Sequence, residues 1–408
     1  MRKTKIICTI GPSSENIETL TKMCQEGMNV ARLNFSHGSH EEHQNKINLV
    51  KEAREKLNMP IALMLDTKGP EYRIKTFENG KIELKDGDFF TFTTEDVVGN
   101  ETIVSVNYKQ LMQNLEVGDT ILVNNGLVIF KIVEIDDKKA RCIVVSGGEL
   151  SNRKSMNFPN RVMAQDFLSE QDRSDLLFGI ENQVDFVAAS FVSRKKDVAD
   201  MRRFLDENGG ADIDIIAKIE NRSGVENIEE ICEIADGIMI ARGDLGVEIP
   251  AMEVPSVQKY LINKCRLLGK RVITATEMLE SMIHNPRPTR AELSDVANAV
   301  YDGTSAVMLS PAGKYPVESV RNMVQTIEFT EKSIHYDRRF KVADFAIKNN
   351  VDAVSHGTCA MAVDVGAKCI VVNSLSGRTV RMVSRFRCPV DIIGMTHSEK
   401  GWRKLNLS

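Results

Sequence analysis

Eight short apolar runs, each ending abruptly in polar or charged residues, constrain this chain more than any other feature. Two of them carry the most information. Ile215-Ile-Ala-Lys-Ile-Glu220 delivers Lys218 and Glu220 with one residue between them. Asp236-Gly-Ile-Met-Ile-Ala-Arg-Gly-Asp-Leu-Gly-Val-Glu-Ile-Pro250 delivers Arg242, Gly243 and Asp244. Strand side chains alternate faces, so Lys218 and Glu220 point the same way. A strand that ends in a lysine and a carboxylate, beside a Gly-Asp pair, suits a hard cation and an anionic substrate. Two carboxylates with open positions fit Mg²⁺, which keeps waters and shares phosphate oxygens. A lysine meets phosphate as a point charge. Either segment alone reads equally well as a solvated strand end. Recurrence of the pattern argues against that reading.

The remaining runs are residues 4–10, 28–38, 61–70, 184–190, 271–276 and 304–310. They end in Gly11-Pro12, in Arg32, Asn34, Ser36 and His37, in Asp66, Thr67 and Lys68, in Ser190, in Thr276 and in Ser310. Amphipathic stretches such as 16–26, 40–57 and 319–332 separate most of them. Alternating strands and helices imply a parallel sheet. Eight such units with reactive groups at the strand C-termini imply a (β/α)₈ TIM barrel, its site at that end.

Two segments depart from a plain barrel. Residues 81–94 alternate with period two, residues 120–134 carry an Asn-Asn-Gly turn, and 140–145 is a further strand. Short strands joined by turn residues predict a small all-β module. It spans residues 74–157, is inserted into the barrel (1–73 and 158–338), and is placed to close over the site as a lid. Residues 339–408 predict a separate C-terminal α/β domain. Its expected helices are 346–349, 357–366, 377–386 and 399–405, and its expected strands 368–373 and 390–395.

Net charge is −4, so bulk attraction to nucleic acid is not expected. No apolar run approaches the ~18 residues of a membrane span, and no signal-peptide core precedes the first strand. Eight cysteines are scattered with no CxxC pair. Cys8, Cys142 and Cys369 fall inside apolar strands, which predicts buried, reduced thiols and a cytoplasmic protein.

Taken in order, Lys3-Thr-Lys-Ile-Ile-Cys-Thr-Ile-Gly-Pro-Ser-Ser14, Ala31-Arg-Leu-Asn-Phe-Ser-His-Gly38, Leu65-Asp-Thr-Lys-Gly-Pro-Glu71, Lys218-Ile-Glu-Asn221, Ala241-Arg-Gly-Asp-Leu-Gly-Val-Glu-Ile-Pro250, Thr274-Ala-Thr-Glu-Met-Leu-Glu-Ser-Met-Ile283, Asn285-Pro-Arg-Pro-Thr-Arg-Ala-Glu292 and Asp295-Val-Ala-Asn-Ala-Val300 resemble the pyruvate kinase family over nearly the whole chain. The resemblance implies a TIM barrel, a β lid and a C-terminal regulatory domain. It implies phosphoryl transfer from phosphoenolpyruvate to ADP, giving pyruvate and ATP, the last step of glycolysis. It implies Mg²⁺ (or Mn²⁺) held by Glu220 and Asp244, with Lys218 and Arg32 on the transferring phosphoryl group. Gly243 and Asp244 would bind the substrate carboxylate through backbone N–H groups, and Thr276 would serve the proton relay to the enolate carbon. Asn34, Ser36, Asp66 and Thr67 would form a K⁺ site, Glu71 being the form of its motif associated with K⁺ dependence. Asn34, His37, Arg73 and Lys154 would meet the nucleotide. Ser374, Ser376, Gly377, Arg378 and Thr379 resemble an effector-phosphate loop; an ordinary helix cap is the other reading. A cytoplasmic homo-oligomer, in this family a tetramer, is also implied.

Four departures from the family pattern stand out. The loop from Ser310 through Pro311 is short, Glu277 replaces a common glutamine, and Ser193 replaces a frequent basic residue. The sequence given ends at Ser408, where the family usually continues, so the C-terminal domain is expected to be incomplete and effector response and assembly are in question. Two alternatives to an active enzyme follow. One is a catalytically impaired relative acting as a ligand-binding or regulatory protein. The other is a different Mg²⁺-dependent barrel enzyme of pyruvate enolates, a lyase or aldolase, against which the lid and the phosphate-facing Arg32, His37 and Arg73 argue.

Overall fold

A computed structural model describes residues 2–161, 163, 166–310, 313–343, 345 and 347–408. Pro311, in the short loop, and Ala346, in an expected helix, lie outside the described residues.

The eight apolar runs become eight parallel strands: β1 (Lys5–Thr9), β2 (Val30–Asn34), β3 (Ala62–Asp66), β4 (Phe186–Ala189), β5 (Asp214–Ile219), β6 (Gly237–Ala241), β7 (Arg271–Ala275) and β8 (Ala306–Leu309). They close into a barrel in sequential order, β8 pairing with β1. Alternation along each strand builds two apolar layers. Ile7, Val30, Met64, Phe186, Ile216, Met239, Ile273 and Met308 fill the barrel interior. Ile6, Ala31, Leu63, Val187, Ile215, Ile238 and Val272 point outward and pack in the layer under the helices. Helices form where the amphipathic stretches lie, including Ile17–Glu26, His40–Leu57 and Pro316–Ser333. Their starts carry the expected chemistry. Ser39 and Glu42 form a capping box, as do Thr289 and Glu292 at the helix Arg290–Asp302.

After β3 the chain leaves for the β module. Its larger sheet has seven strands in the order Tyr72–Arg73, Ser155–Asn157, Thr120–Val123, Val128–Ile135, Lys139–Ser146, Phe89–Thr93 and Ile103–Ser105. The Asn-Asn-Gly turn reverses the chain with Asn124, Asn125 and Gly126 all at positive φ. Phe90, Phe92 and Phe130 are fully buried and stack edge to face at its centre. Entering and leaving chains pair with each other, Arg73 opposite Ser155 and Tyr72 opposite Met156. One narrow neck therefore joins module and barrel.

The C-terminal unit packs the helices Asn350–Asp364 and Arg378–Ser384 on a parallel pair, Cys369–Asn373 with Asp391–Met395. Two expectations fail here. Residues 346–349 contribute no helical turn at Asn349. That residue is extended, and its side chain accepts the Asp352 N–H as an N-cap, so one helix starts at Asn350 and runs through Gly357. Asparagine side chains compete with helix carbonyls and settle at caps. Cys369 is exposed, unlike Cys8 and Cys142. In its strand Ile370 takes the inward face, and alternation turns Cys369 out. Among the described residues no helix is long and apolar enough to cross a membrane.

Candidate active site

Strand parity sets the site. Residues in step with the interior-filling side chains also face inward. In β5 the interior residue is Ile216, so Lys218 and Glu220 follow it into the barrel mouth. In β3 Ala62 and Met64 lead to Asp66, in β2 Val30 leads to Arg32 and Asn34, and in β4 Phe186 and Ala188 lead to Ser190. Register then brings neighbours level, Asn34 opposite Asp66 and Thr9 opposite Arg32.

Lys218 Nζ sits 2.9 Å from Glu220 Oε1 and 3.1 Å from Asp66 Oδ1, and donates to Ser190 Oγ at 2.8 Å. Arg32 Nε donates to Asp66 Oδ2 at 2.6 Å, and Arg32 Nη1 to Thr9 Oγ1 at 2.8 Å. All these groups are buried, so none is a solvated strand end. Burial by itself would lower the Lys218 pKa, but Asp66 and Glu220 outweigh it and push it up. Burial opposes ionisation of Asp66, yet Arg32 and Lys218 hold its carboxyl below the usual range.

Glu220 differs. Burial, with the charge of Asp244 added, pushes its carboxyl up to about 7 despite Lys218 and the Phe191 N–H. That N–H donates to Glu220 Oε2 at 2.5 Å. Oε1 is buried with the Lys218 ammonium 2.9 Å away. One ammonium shared with Asp66 leaves Glu220 under-compensated, and a second cation would offset the cost of burying it. Asp244, on the short helix Arg242–Glu248, lines the cleft beside it. No cluster of three His, Cys, Asp or Glu exists among the described residues. A cation held here would take two carboxylates and complete its shell from substrate and water, the habit of Mg²⁺.

Backbone strain concentrates at the same mouth. Phe191, after β4, has φ 58°, and Thr276, after β7, has φ 67°, followed by Glu277 at 57° and Leu279 at 55°. For a bulky or β-branched residue this region costs roughly 1–3 kcal/mol and persists only where surroundings enforce it. Gly243 N–H donates to Thr276 Oγ1 at 2.8 Å, and the Thr276 hydroxyl lies 2.6 Å from Ala275 O. A Cβ on Gly243 would meet nothing closer than Thr276 Oγ1 at 3.6 Å. A methyl there would sit in ordinary contact with Thr276. At Gly69 (φ 68°), in the loop leading to the β module, a Cβ would strike Ser190 at 2.8 Å.

The other expected residues lie further out. Ser36 and His37 are exposed, and the Asn34 side chain accepts the Ser36 N–H at 3.2 Å. Thr67 is buried beside Asp66, its carbonyl accepting from Ser190 Oγ at 2.6 Å. At the neck Glu71 pairs with both Arg73 and Lys68, and Lys154 O accepts the Ile74 N–H. A cleft of about 230 Å³ runs between neck and barrel, lined by Glu71, Arg73, Phe191, Asn221, Asp244 and Glu248 among others. Ser193, within it, accepts from Asn221 Nδ2 at 3.0 Å. The Ser374–Thr379 loop is remote from this mouth. It opens a seven-residue helix at Gly377, φ 80°, with no side-chain cap.

Two participants were not singled out from the sequence. Ser190 joins Lys218, Asp66 and Thr67; it shares the inward parity that exposed Lys218, which was its available signal. Arg242 looked like one more charged strand end. In the fold it binds Asp295 and the carbonyls of residues 275 and 276.

Comparison with known proteins bears on the family and the fold. The family described as "Pyruvate kinase, barrel domain" matches residues 1–320, and "Pyruvate kinase, alpha/beta domain" matches 352–408. A pyruvate kinase of Bacillus licheniformis is 48% identical over all of this chain and 71% of its own length. One of Clostridium acetobutylicum is 46% identical over all of this chain and 87% of its own. A crystal structure of a pyruvate kinase from Cryptosporidium parvum superposes with a TM-score of 0.96 at 39% identity, covering all of this chain and 85% of that one.

Proposed function

The chain belongs to the pyruvate kinase family, and we propose on that premise how its barrel mouth transfers the phosphoryl group of phosphoenolpyruvate to ADP, giving pyruvate and ATP. The observation that carries the assignment of residues is Lys218, buried between Asp66 and Glu220, with Glu220 still pushed up to about 7 by burial and by the charge of Asp244.

Glu220 and Asp244 would hold Mg²⁺. When bound, the metal supplies charge stabilisation for the enolate oxygen and orients the substrate. Lys218 has its charge fixed by two carboxylates, so it stays protonated and would offer N–H donors to equatorial phosphoryl oxygens. Arg32 lies behind it, oriented by Asp66 and Thr9, to take the same phosphoryl group. The Asp244 N–H, at a helix start, suits the substrate carboxylate, while the Gly243 N–H before it is given to Thr276 Oγ1. The Thr276 hydroxyl is a weak acid alone, so it acts within a water relay that delivers the proton to the enolate carbon.

Asn34, Ser36, Asp66 and Thr67 would bind K⁺ through amide, hydroxyl, carboxylate and carbonyl oxygens. His37, Arg73 and Lys154, with Asn34, would meet the nucleotide phosphates as the module of residues 74–157 closes on its neck over the barrel of 1–73 and 158–338. Residues 339–408 would serve regulation through the Ser374–Thr379 loop. Dependence on both cations, a cytoplasmic setting and homo-oligomeric assembly belong to the same proposal.

The test is ATP formation from ADP and phosphoenolpyruvate on this chain, with Mg²⁺ and K⁺ each omitted in turn. Turnover that needs both supports the reading. Turnover indifferent to Mg²⁺ would remove the role given to Glu220 and Asp244.

A further inference from the structure

Arg242 stands at the edge of the substrate site, yet its charge is spent elsewhere. A guanidinium has five N–H donors. Here Nε faces Ala275 O at 3.3 Å. Nη1 faces Asp295 Oδ1 at 2.6 Å and Gln258 Oε1 at 3.3 Å. Nη2 faces Thr276 O at 2.6 Å and Asp295 Oδ2 at 2.8 Å. Five donors meet five acceptors, so none is left for a phosphate or carboxylate ligand. Arg242 is also only 9% exposed.

What those bonds hold is the strained turn. Thr276, Glu277 and Leu279 all have positive φ. Arg242 takes the carbonyls of residues 275 and 276, just where the chain leaves β7 for the left-handed region. The next residue, Gly243, takes the Thr276 hydroxyl through its N–H. Carbonyl and hydroxyl of one threonine are thus fixed from two consecutive residues, with Asp244 directly after them. Asp295, on the helix Arg290–Asp302, sets the plane of the guanidinium by a two-pronged pair. A planar fork held this way has little freedom to rotate.

We propose that Arg242 and Asp295 are a positioning pair for the proton-transfer half of the reaction, holding the Thr276 hydroxyl through the turn that carries it. This rests on the reading of Thr276 as a member of the proton relay. In the step concerned, the enolate π electrons form a new C3–H bond, the C2 oxygen becomes a carbonyl, and the proton comes from the hydroxyl or its bound water, which recovers it from solvent. Neither Arg242 nor Asp295 touches the substrate.

The test separates the proton step from phosphoryl transfer. Exchange of pyruvate methyl protons with D₂O is followed by NMR with the full chain, Mg²⁺, K⁺ and ATP, beside steady-state ATP formation. Asp295→Asn should slow exchange about ten- to a hundredfold, since small misplacements of a catalytic group cost that much. The KM for phosphoenolpyruvate should stay within about twofold, the mark of a lost transition-state interaction. Asp295→Glu, which keeps the charge, should recover part of the rate. Arg242→Lys, which keeps the charge without the fork, should behave like Asp295→Asn. The double variant Thr276→Ala with Asp295→Asn should exchange no more slowly than Thr276→Ala alone, because residues acting through one group are not additive. Wild-type exchange in Asp295→Asn, or multiplied losses in the double variant, would overturn the pair. Wild-type exchange in Thr276→Ala would instead remove the relay reading of Thr276, and the pair with it, a result visible without any change at Asp295.

Discussion

At the C-terminal end of the barrel, Lys218 lies 2.9 Å from Glu220 and 3.1 Å from Asp66. At the N-terminal end, Arg403 lies 2.8 Å from Asp185, and Asp214 takes Arg271 and Lys404, each at 2.6 Å. Both ends bury charge on barrel strands. At the N-terminal end every carboxylate oxygen is spoken for. Asp185 accepts Arg403 on one oxygen and the Leu63 N–H on the other. Asp214 gives one oxygen to each cation, and although burial opposes it, Arg271 and Lys404 hold its carboxyl at about 2. Leu407 then plugs the barrel from below. At the C-terminal end Glu220 has the Lys218 ammonium on one oxygen and the Phe191 N–H on the other, yet burial and the charge of Asp244 still push it up to about 7. Buried charge alone therefore marks no site. An open cleft and strained backbone beside that charge do.

That contrast can be broken most sharply at Lys218. Lys218→Met should lower ATP formation on the order of 10³-fold or more, as loss of a fixed charge on a transferring group does. It also strips buried Glu220 of its ammonium, so the melting temperature should fall, while phosphoenolpyruvate should still bind to the folded protein. Normal turnover in this variant ends the assignment. Arg403→Met, at the other end, should cost stability and leave the chemistry alone. Leaving Asp185 buried and unpaired costs roughly 3 kcal/mol, read as a lower urea midpoint, while kcat of the folded protein is kept. The deficit should shrink in acid, because Asp185 is already pushed up by burial and the variant can protonate it. Leu407→Ala should cost about 2 kcal/mol by opening a cavity under the barrel, again without touching kcat; a loss of activity instead would couple the two ends. The smallest effect concerns pH. A proton competes with the cation on Glu220, and it is lost as pH rises through about 7. Mg²⁺ affinity should therefore climb about tenfold from about pH 6 to about pH 8. Titration of Mg²⁺-dependent turnover checks this, and a flat profile counts against Glu220 as a ligand.

Much of the site was legible because a strand has period two. Once Ile215–Ile219 is read as a strand, Lys218 and Glu220 must share a face, and repetition over eight strands gathers Arg32, Asp66 and Lys218 at one mouth. The β module was legible from its turns. Less local features were not. Nothing in the residues around Cys369 says that its face of the strand is open. Asn349 as a cap rather than a helical residue depended on where the helix found its packing. Arg242 reads as one more charged strand end in the sequence, and only the fold shows that Asp295, 53 residues away, holds it.

The sequence by itself determined the eightfold alternation, the polarity of the strand ends and the identity of the groups at the mouth, because these follow from local periodicity and residue chemistry. Only the tertiary structure decided which buried charges are satisfied and which are left waiting. That depends on partners distant along the chain: Asp295 for Arg242, Arg403 for Asp185, and Asp66 for Lys218. The cost of a buried charge is set by the last neighbour to arrive, and sequence order does not say which neighbour that is.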